Sequence, residues 1–163
     1  MARLLVVLFS VALLTSSDIA AQSKRGSIQG AWQTVEVTLT GPAARTISHL
    51  QPNLTIITAR HYSRLNIDAE GPRPMLTDVA KASADELRAV WGPFVGEAGT
   101  YELIDGSVIT MHPLVAKNPA AMAPGALITY SYKLDGDTMW VTEQRNQDGP
   151  FANPVTVKAT RVE

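Results

Sequence analysis

The chain has 163 residues, a formal net charge of −1 and no cysteine. A near-neutral chain without a basic block is a poor candidate for binding nucleic acid, because phosphate recognition needs a positively charged face. Without cysteine there are no disulfides, so stability must come from apolar burial and backbone hydrogen bonds. The length suits one domain.

The N-terminus has the pattern of a secretory signal peptide. Arg3 supplies one positive charge, residues 4–14 are apolar except for Ser10, and Ala20 and Ala21 are small residues suited to a peptidase site. The apolar run is shorter than the roughly 20 residues that a transmembrane helix needs. We therefore predict cleavage after Ala21, a secreted or periplasmic protein, and no membrane span in the mature chain. An uncleaved membrane anchor is the alternative.

After residues 1–21, the polar segment 22–29 predicts a flexible tail, and residues 30–163 are predicted to form one domain. Alternating apolar and β-branched residues predict eight strands. The Asp-Gly pairs at residues 105–106 and 135–136 predict tight hairpins. The predicted strands are residues 32–39, 54–58, 61–67, 99–104, 107–114, 126–134, 138–144 and 155–162.

Between the third and fourth predicted strands, residues 77–91 are rich in helix-forming side chains. Ser83 and Glu86 have the spacing of a capping box, which predicts one short helical turn before Ser83 and another after it. Trp91 and Phe94 could plug one mouth of a barrel. Residues 115–125 contain two prolines and predict a loop or a single helical turn.

Eight short strands joined mostly to their sequence neighbours favour an all-β, up-and-down antiparallel barrel, because closure removes exposed sheet edges. A β-sandwich is the alternative. In the first predicted strand, regular alternation does not put all the apolar side chains on the same face. With Trp32 inside, regular alternation also puts Glu36 inside, whereas Val37 and Leu39 look more like core residues. A β-bulge after Trp32 would reconcile these positions.

The start and the end of the predicted domain each carry residues that are typical of one protein family. Gly30-Ala31-Trp32 is similar to the Gly-x-Trp motif of lipocalins, and Arg161 stands where that family has an arginine near the end of the last strand. Further similarity lies in residues 99–106, 108–112 and 134–137. On these residues the chain resembles the exported bacterial and fungal lipocalin-like domains of the calycin superfamily, over most of residues 30–162.

The resemblance implies an eight-stranded barrel with a helical segment between strands three and four. It also implies that Trp32 closes the base of the barrel and that the Arg161 guanidinium stacks over it, a cation–π contact worth about 0.5–2 kcal/mol. Ala159 stands where the family often has an aromatic residue, which predicts a looser base. A barrel of this size is filled by side chains or holds one small ligand.

The residues that could contact such a ligand are polar aromatic side chains on the predicted strands, since each has an apolar body and a hydrogen-bonding tip. Plain core packing is the alternative for each of them. Glu97 and Glu102 are expected at the rim, facing solvent. The candidates are Tyr101, His112, Tyr130, Tyr132 and Trp140.

No metal, cofactor or catalytic residue is expected. The three histidines, His49, His61 and His112, are scattered, and no motif for nucleophilic catalysis or phosphate binding occurs. The leading hypothesis is an exported barrel that binds a small hydrophobic or amphipathic molecule in its interior. One alternative is an envelope structural or interaction module with a filled barrel. The other is an isomerase- or cyclase-type enzyme that uses a pocket His112 or tyrosine.

Overall fold

Alternating side chains build one antiparallel sheet that closes on itself. The computed structural model describes residues 26–163, so the predicted signal peptide and the first half of the predicted tail, residues 22–25, lie outside the described residues. The strands are β1 (Gly30–Leu39), β2 (Arg45–Ile47), β3 (Asn53–Ile57), β4 (His61–Ile67), β5 (Phe94–Asp105), β6 (Val108–Ala116), β7 (Ile128–Asp135), β8 (Thr138–Asn146), β9 (Gly149–Pro150) and β10 (Thr156–Arg161).

Strand pairing follows the order β1-β3-β4-β5-β6-β7-β8-β10 and returns from β10 to β1. The prediction of a closed, eight-stranded, up-and-down barrel is therefore confirmed. The two remaining strands are short additions that the sequence did not reveal: β2 pairs with the end of β1, and β9 pairs with the end of β8.

One α-helix, α1 (Ala84–Trp91), lies between β4 and β5, where the helical segment was predicted. Ser83 caps it in a full capping box: its hydroxyl accepts from the Glu86 amide, and the Glu86 carboxylate accepts from the Ser83 amide. A 3₁₀ turn at Val79–Lys81 precedes it, so the predicted division at Ser83 is confirmed. Two further 3₁₀ turns occupy Gly41–Ala43 and Pro119–Met122. In the described part of the chain, no helix is long and apolar enough to cross a membrane.

The barrel has two different ends. At the hairpin end lie the short turns that join β3 to β4, β5 to β6 and β7 to β8, together with the start of β1 and the end of β10. At the loop end lie the long connections, including α1 and the 3₁₀ turn at Pro119–Met122.

The floor of the hairpin end is built around Trp32, whose side chain is 1% exposed. The Arg161 guanidinium lies over its ring, 4.2 Å from the centroid. The same guanidinium donates to the carbonyl oxygens of Gln29 (2.5 Å) and Ser27 (2.6 Å), and the Trp32 Nε1–H donates to the carbonyl of Ile28 (2.8 Å). The other buried apolar residues of this core are Ile28, Ile57, Tyr62, Ile109, Met111, Tyr130, Met139 and Ala159.

Strand β1 changes face partway along its length. Its register against β10 shifts between Thr34 and Glu36, which is a β-bulge. Before the bulge Trp32 faces the core, and after it Val37 pairs with Val157 on the inner face while Glu36 faces outward. The bulge therefore puts both the tryptophan and the later apolar residues of this strand inside the barrel.

Candidate functional site

A row of polar side chains crosses the interior at the middle of the barrel. Tyr62 is 2% exposed and belongs to the core, so strand alternation turns Arg64 and Asn66 to the same inner face. In the neighbouring strand Glu97 is the direct register partner of Arg64. Cross-strand pairing thus brings a guanidinium and a carboxylate together inside the sheet.

These groups form one hydrogen-bonded cluster with a second tyrosine. Arg64 Nη2 donates to Glu97 Oε1 at 3.1 Å, and the Tyr62 hydroxyl donates to the same oxygen at 3.2 Å. Arg64 Nη1 donates to the Tyr130 hydroxyl at 3.4 Å, across the barrel from β4 to β7. We refer to Tyr62, Arg64, Glu97 and Tyr130 as the interior cluster.

Burial of an ion pair in a barrel interior is energetically costly, because both charges lose water. Apolar side chains of similar volume often serve stability equally well or better. A partly buried, inward-facing arginine–glutamate pair in place of apolar packing is therefore the strongest indication of a site in the described residues.

The interior around the cluster is not completely filled. Arg64 faces the interior, yet 33% of its side-chain surface is exposed, against 9% for Glu97. An inward-facing side chain is exposed to this extent only where space for a solvent molecule lies beside it. Arg64 Nε is buried and has no hydrogen-bond partner within residues 26–163, so the cluster does not satisfy its own donors.

The cluster holds its groups in defined protonation states. Burial and the nearby charge of Glu97 raise the pKa of the Tyr62 hydroxyl. Burial likewise raises the pKa of Tyr130, against the lowering effect of Arg64, so both phenols are neutral at physiological pH. Burial lowers the pKa of Arg64, but the interactions with Tyr130 and Glu97 outweigh it and the pKa is raised, so this side chain is a cation.

Further polar groups line the interior towards the loop end. Asn66 pairs with Asn53, whose side chain binds the backbone N–H and C=O of Thr34 beside the bulge. Glu143 is the register partner of Tyr130, and its Oε2 accepts the amide of Val155 at 3.0 Å. The interior is thus apolar and packed at the hairpin end, and towards the loop end it carries both polar side chains and valines such as Val37 and Val95.

Of the candidate ligand residues, Tyr130 is a member of the interior cluster. Tyr101 and Tyr132 also pack against the core, but nearer the hairpin end. The Tyr101 hydroxyl donates to the carbonyl of Thr58 at 2.6 Å, in the β3–β4 turn. These two tyrosines therefore help to close the base of the barrel.

The other two candidates lie on the outer wall. Trp140 follows the inward-facing Met139, and its ring lies between the ammonium groups of Lys133 (5.7 Å) and Lys158 (5.8 Å). His112 follows the inward-facing Met111 and so also lies on the outer side of the sheet, where its Nε2 is buried and has no hydrogen-bond partner among the described residues. Both are outside the interior cluster, and a ligand contact for either remains a prediction.

Sequence reasoning missed Tyr62 and Arg64 and misplaced Glu97. The expectation that Glu97 faces solvent at the rim is wrong, because β5 begins at Phe94 and not at Gly99. Residues 94–98 pair with β4, and this pairing turns the Glu97 side chain inward. Glu102 is exposed, as expected.

The outer wall carries a separate apolar groove of about 750 Å³. Leu54 and Leu65 form its base, and the segment before α1 with the half-exposed Trp91 forms its sides. Arg73, the charged residue of its lining, donates to the carbonyl of Val90 (3.1 Å) and lies over Phe94 (5.9 Å). Gln51, Asn53 and Asn66 also line the groove, but its charged side chain is already bonded to Val90, so the interior cluster is the better candidate site. Trp91 and Phe94 line this groove and do not plug the barrel.

No family model matches the chain, and no curated protein matches its sequence. Among solved structures, an uncharacterized protein from Bacteroides eggerthii is similar, with a TM-score of 0.45, 10% identity, and coverage of 82% of this chain and 99% of that chain. A redesigned β-barrel is also similar, with a TM-score of 0.39, 13% identity, and coverage of 83% and 92%.

Proposed function

We propose that this barrel binds a small amphipathic molecule in its interior, with the polar end of the molecule at the interior cluster. The observation that carries the proposal is the Arg64–Glu97 pair, which is placed inside the sheet beside unfilled space. A binding site of this kind combines a mostly apolar wall with a few convergent polar groups.

The division of the interior supports the same proposal. At the hairpin end the core is packed around Trp32 and Met139, which are 1% and 5% exposed. Towards the loop end the inner face mixes polar and apolar side chains, and they are only half-buried, as Asn66, Glu143, Val37 and Val95 show. A barrel filled for structural purposes alone would be expected to continue its apolar packing to both ends.

We also propose kinship with the lipocalin-like domains of the calycin superfamily. It is supported by the closed eight-stranded barrel and by Arg161 stacked over Trp32 at its base. Export to the periplasm or the medium is proposed on the signal-peptide pattern of residues 1–21.

The test removes both charges together. Arg64→Met combined with Glu97→Leu replaces the ion pair by apolar side chains of similar volume, an exchange that buried pairs often tolerate without loss of stability. We expect this variant to fold, as judged by far-UV circular dichroism, and to bind amphiphiles at least about tenfold more weakly. Binding is measured by tryptophan fluorescence and calorimetry.

The matched control is Arg60→Met with Glu102→Leu, which removes one positive and one negative charge from exposed positions. This control should bind as the unmodified protein does. If no amphiphile of a broad panel binds the unmodified protein, or if the Arg64/Glu97 double variant binds equally well, the proposed function is wrong.

A further inference from the structure

The charges around the interior cluster indicate which polar group its ligand carries. This inference rests on the proposed function and concerns the same site. Arg64 contributes one positive charge, while Glu97 and Glu143 contribute two negative charges on the inner faces of β5 and β8. The positive charge is already paired, because Arg64 Nη2 donates to Glu97 at 3.1 Å.

An anionic head group would therefore enter a site that already holds an excess of negative charge. It would compete with Glu97 for the single guanidinium and would approach Glu143 without a counter-ion. Repulsion between like charges is stronger in a partly enclosed site than in bulk water. A carboxylate or a phosphate is consequently a poor ligand here, although an interior arginine taken alone would suggest one. A cationic head group would offset the excess negative charge, but it has no acceptor for the free N–H groups of Arg64 and would lie against that guanidinium.

The cluster has both unused hydrogen-bond donors and an unused acceptor. A guanidinium has five N–H donors, and in the described structure Arg64 directs one to Glu97 and one to Tyr130. Glu97 Oε1 accepts two bonds, whereas no donor within residues 26–163 reaches Oε2. Donors of Arg64 and an acceptor of Glu97 are thus available side by side.

We infer that the ligand carries an uncharged head group with a donor and an acceptor next to each other, as in a primary amide. Its carbonyl oxygen accepts from a terminal N–H of Arg64, and its N–H donates to Glu97 Oε2. The pair keeps its own charge balance when such a group binds, and each partner gains a hydrogen bond that it lacks in the free protein.

The test compares four ligands that share one medium-length alkyl chain and differ only in the head group: carboxylic acid, primary amide, primary amine and alcohol. Affinities are measured at neutral pH by calorimetry on the unmodified chain. We expect the amide to bind at least about tenfold more tightly than the acid. If the acid or the amine binds more tightly than the amide, the inference is wrong but the proposed function is not affected. If none of the four binds, it is the proposed function that fails.

Glu97→Gln makes the test specific to the site, because it removes one negative charge and keeps the shape of the side chain. The acid should gain at least about tenfold in affinity in this variant, since Arg64 then lacks its counter-ion. Glu102→Gln, an exposed position on the same strand, is the matched control and should leave all four affinities unchanged. If Glu97→Gln does not fold, Glu143→Gln tests the same charge argument. If the affinity for the acid does not rise in the variant that folds, the charge argument is wrong.

Discussion

Replacement of Arg161 by methionine tests how the barrel is closed at its floor. The Arg161 side chain is only 8% exposed and makes three kinds of contact. Its stack over Trp32 at 4.2 Å is worth about 1–2 kcal/mol when desolvated. Its two hydrogen bonds to the carbonyls of Gln29 and Ser27 contribute about 1.5 kcal/mol each, because the donor is charged. The 3.4 Å ion pair with the half-exposed Asp137 adds little.

Methionine recovers part of the apolar contact with the indole but none of the hydrogen bonds. We therefore expect Arg161→Met to lower the free energy of unfolding by about 3–5 kcal/mol. The measurement is urea unfolding followed by tryptophan fluorescence and by far-UV circular dichroism. Arg145→Met, on an exposed side chain of β8, is the matched control and should change stability by less than about 0.5 kcal/mol. A loss below about 1 kcal/mol for Arg161→Met would refute the reasoning.

Two further predictions concern alkaline pH and a close backbone approach. Burial and Glu97 raise the pKa of Tyr62, so its contribution to stability is complete below about pH 10 and is lost as the pH rises above it. Tyr62→Phe should therefore flatten the decline of unfolding free energy above about pH 10, and an unchanged slope would contradict this. At Gly99 an added Cβ would lie 2.1 Å from the backbone oxygen of His112, so Gly99→Ala should cost about 1–3 kcal/mol in urea unfolding. Gly106→Ala, with nothing within 4 Å, is its control, and equal costs for both would refute the steric argument.

Those parts of the fold that depend on local chemistry could be predicted from the sequence. The Asp-Gly turns specify two hairpins, and the spacing of Ser83 and Glu86 specifies the start of α1. The first five residues of β5 were not predicted as part of a strand, because the apolar run there is short and Gly96 interrupts it. They are held in the sheet by pairing with β4, which is a tertiary effect.

The interior cluster depends on such non-local pairing and so had no clear signature. In β4 one face carries Tyr62, Arg64 and Asn66, while the other carries Leu65 and Ile67. Hydrophobicity alone would turn the second face inward. The structure turns it outward, where Leu65 and Ile67 line the groove formed with the segment before α1. The sequence does not show in advance that the segment before α1 packs against this face, because no local pattern specifies which side of the sheet the segment covers.

The chain contains no cysteine, so single cysteines can report how accessible each part of the interior is. Glu143→Cys places a thiol on the inner face of β8 beside Tyr130, and Met139→Cys places one in the packed core, where the native side chain is 5% exposed. With a small thiol reagent under native conditions, we predict that the cysteine at position 143 reacts at least about tenfold faster than the one at 139, which becomes accessible only through local unfolding. Equal protection of both thiols would mean that the interior around Arg64 is solid, and the proposed binding site would not exist.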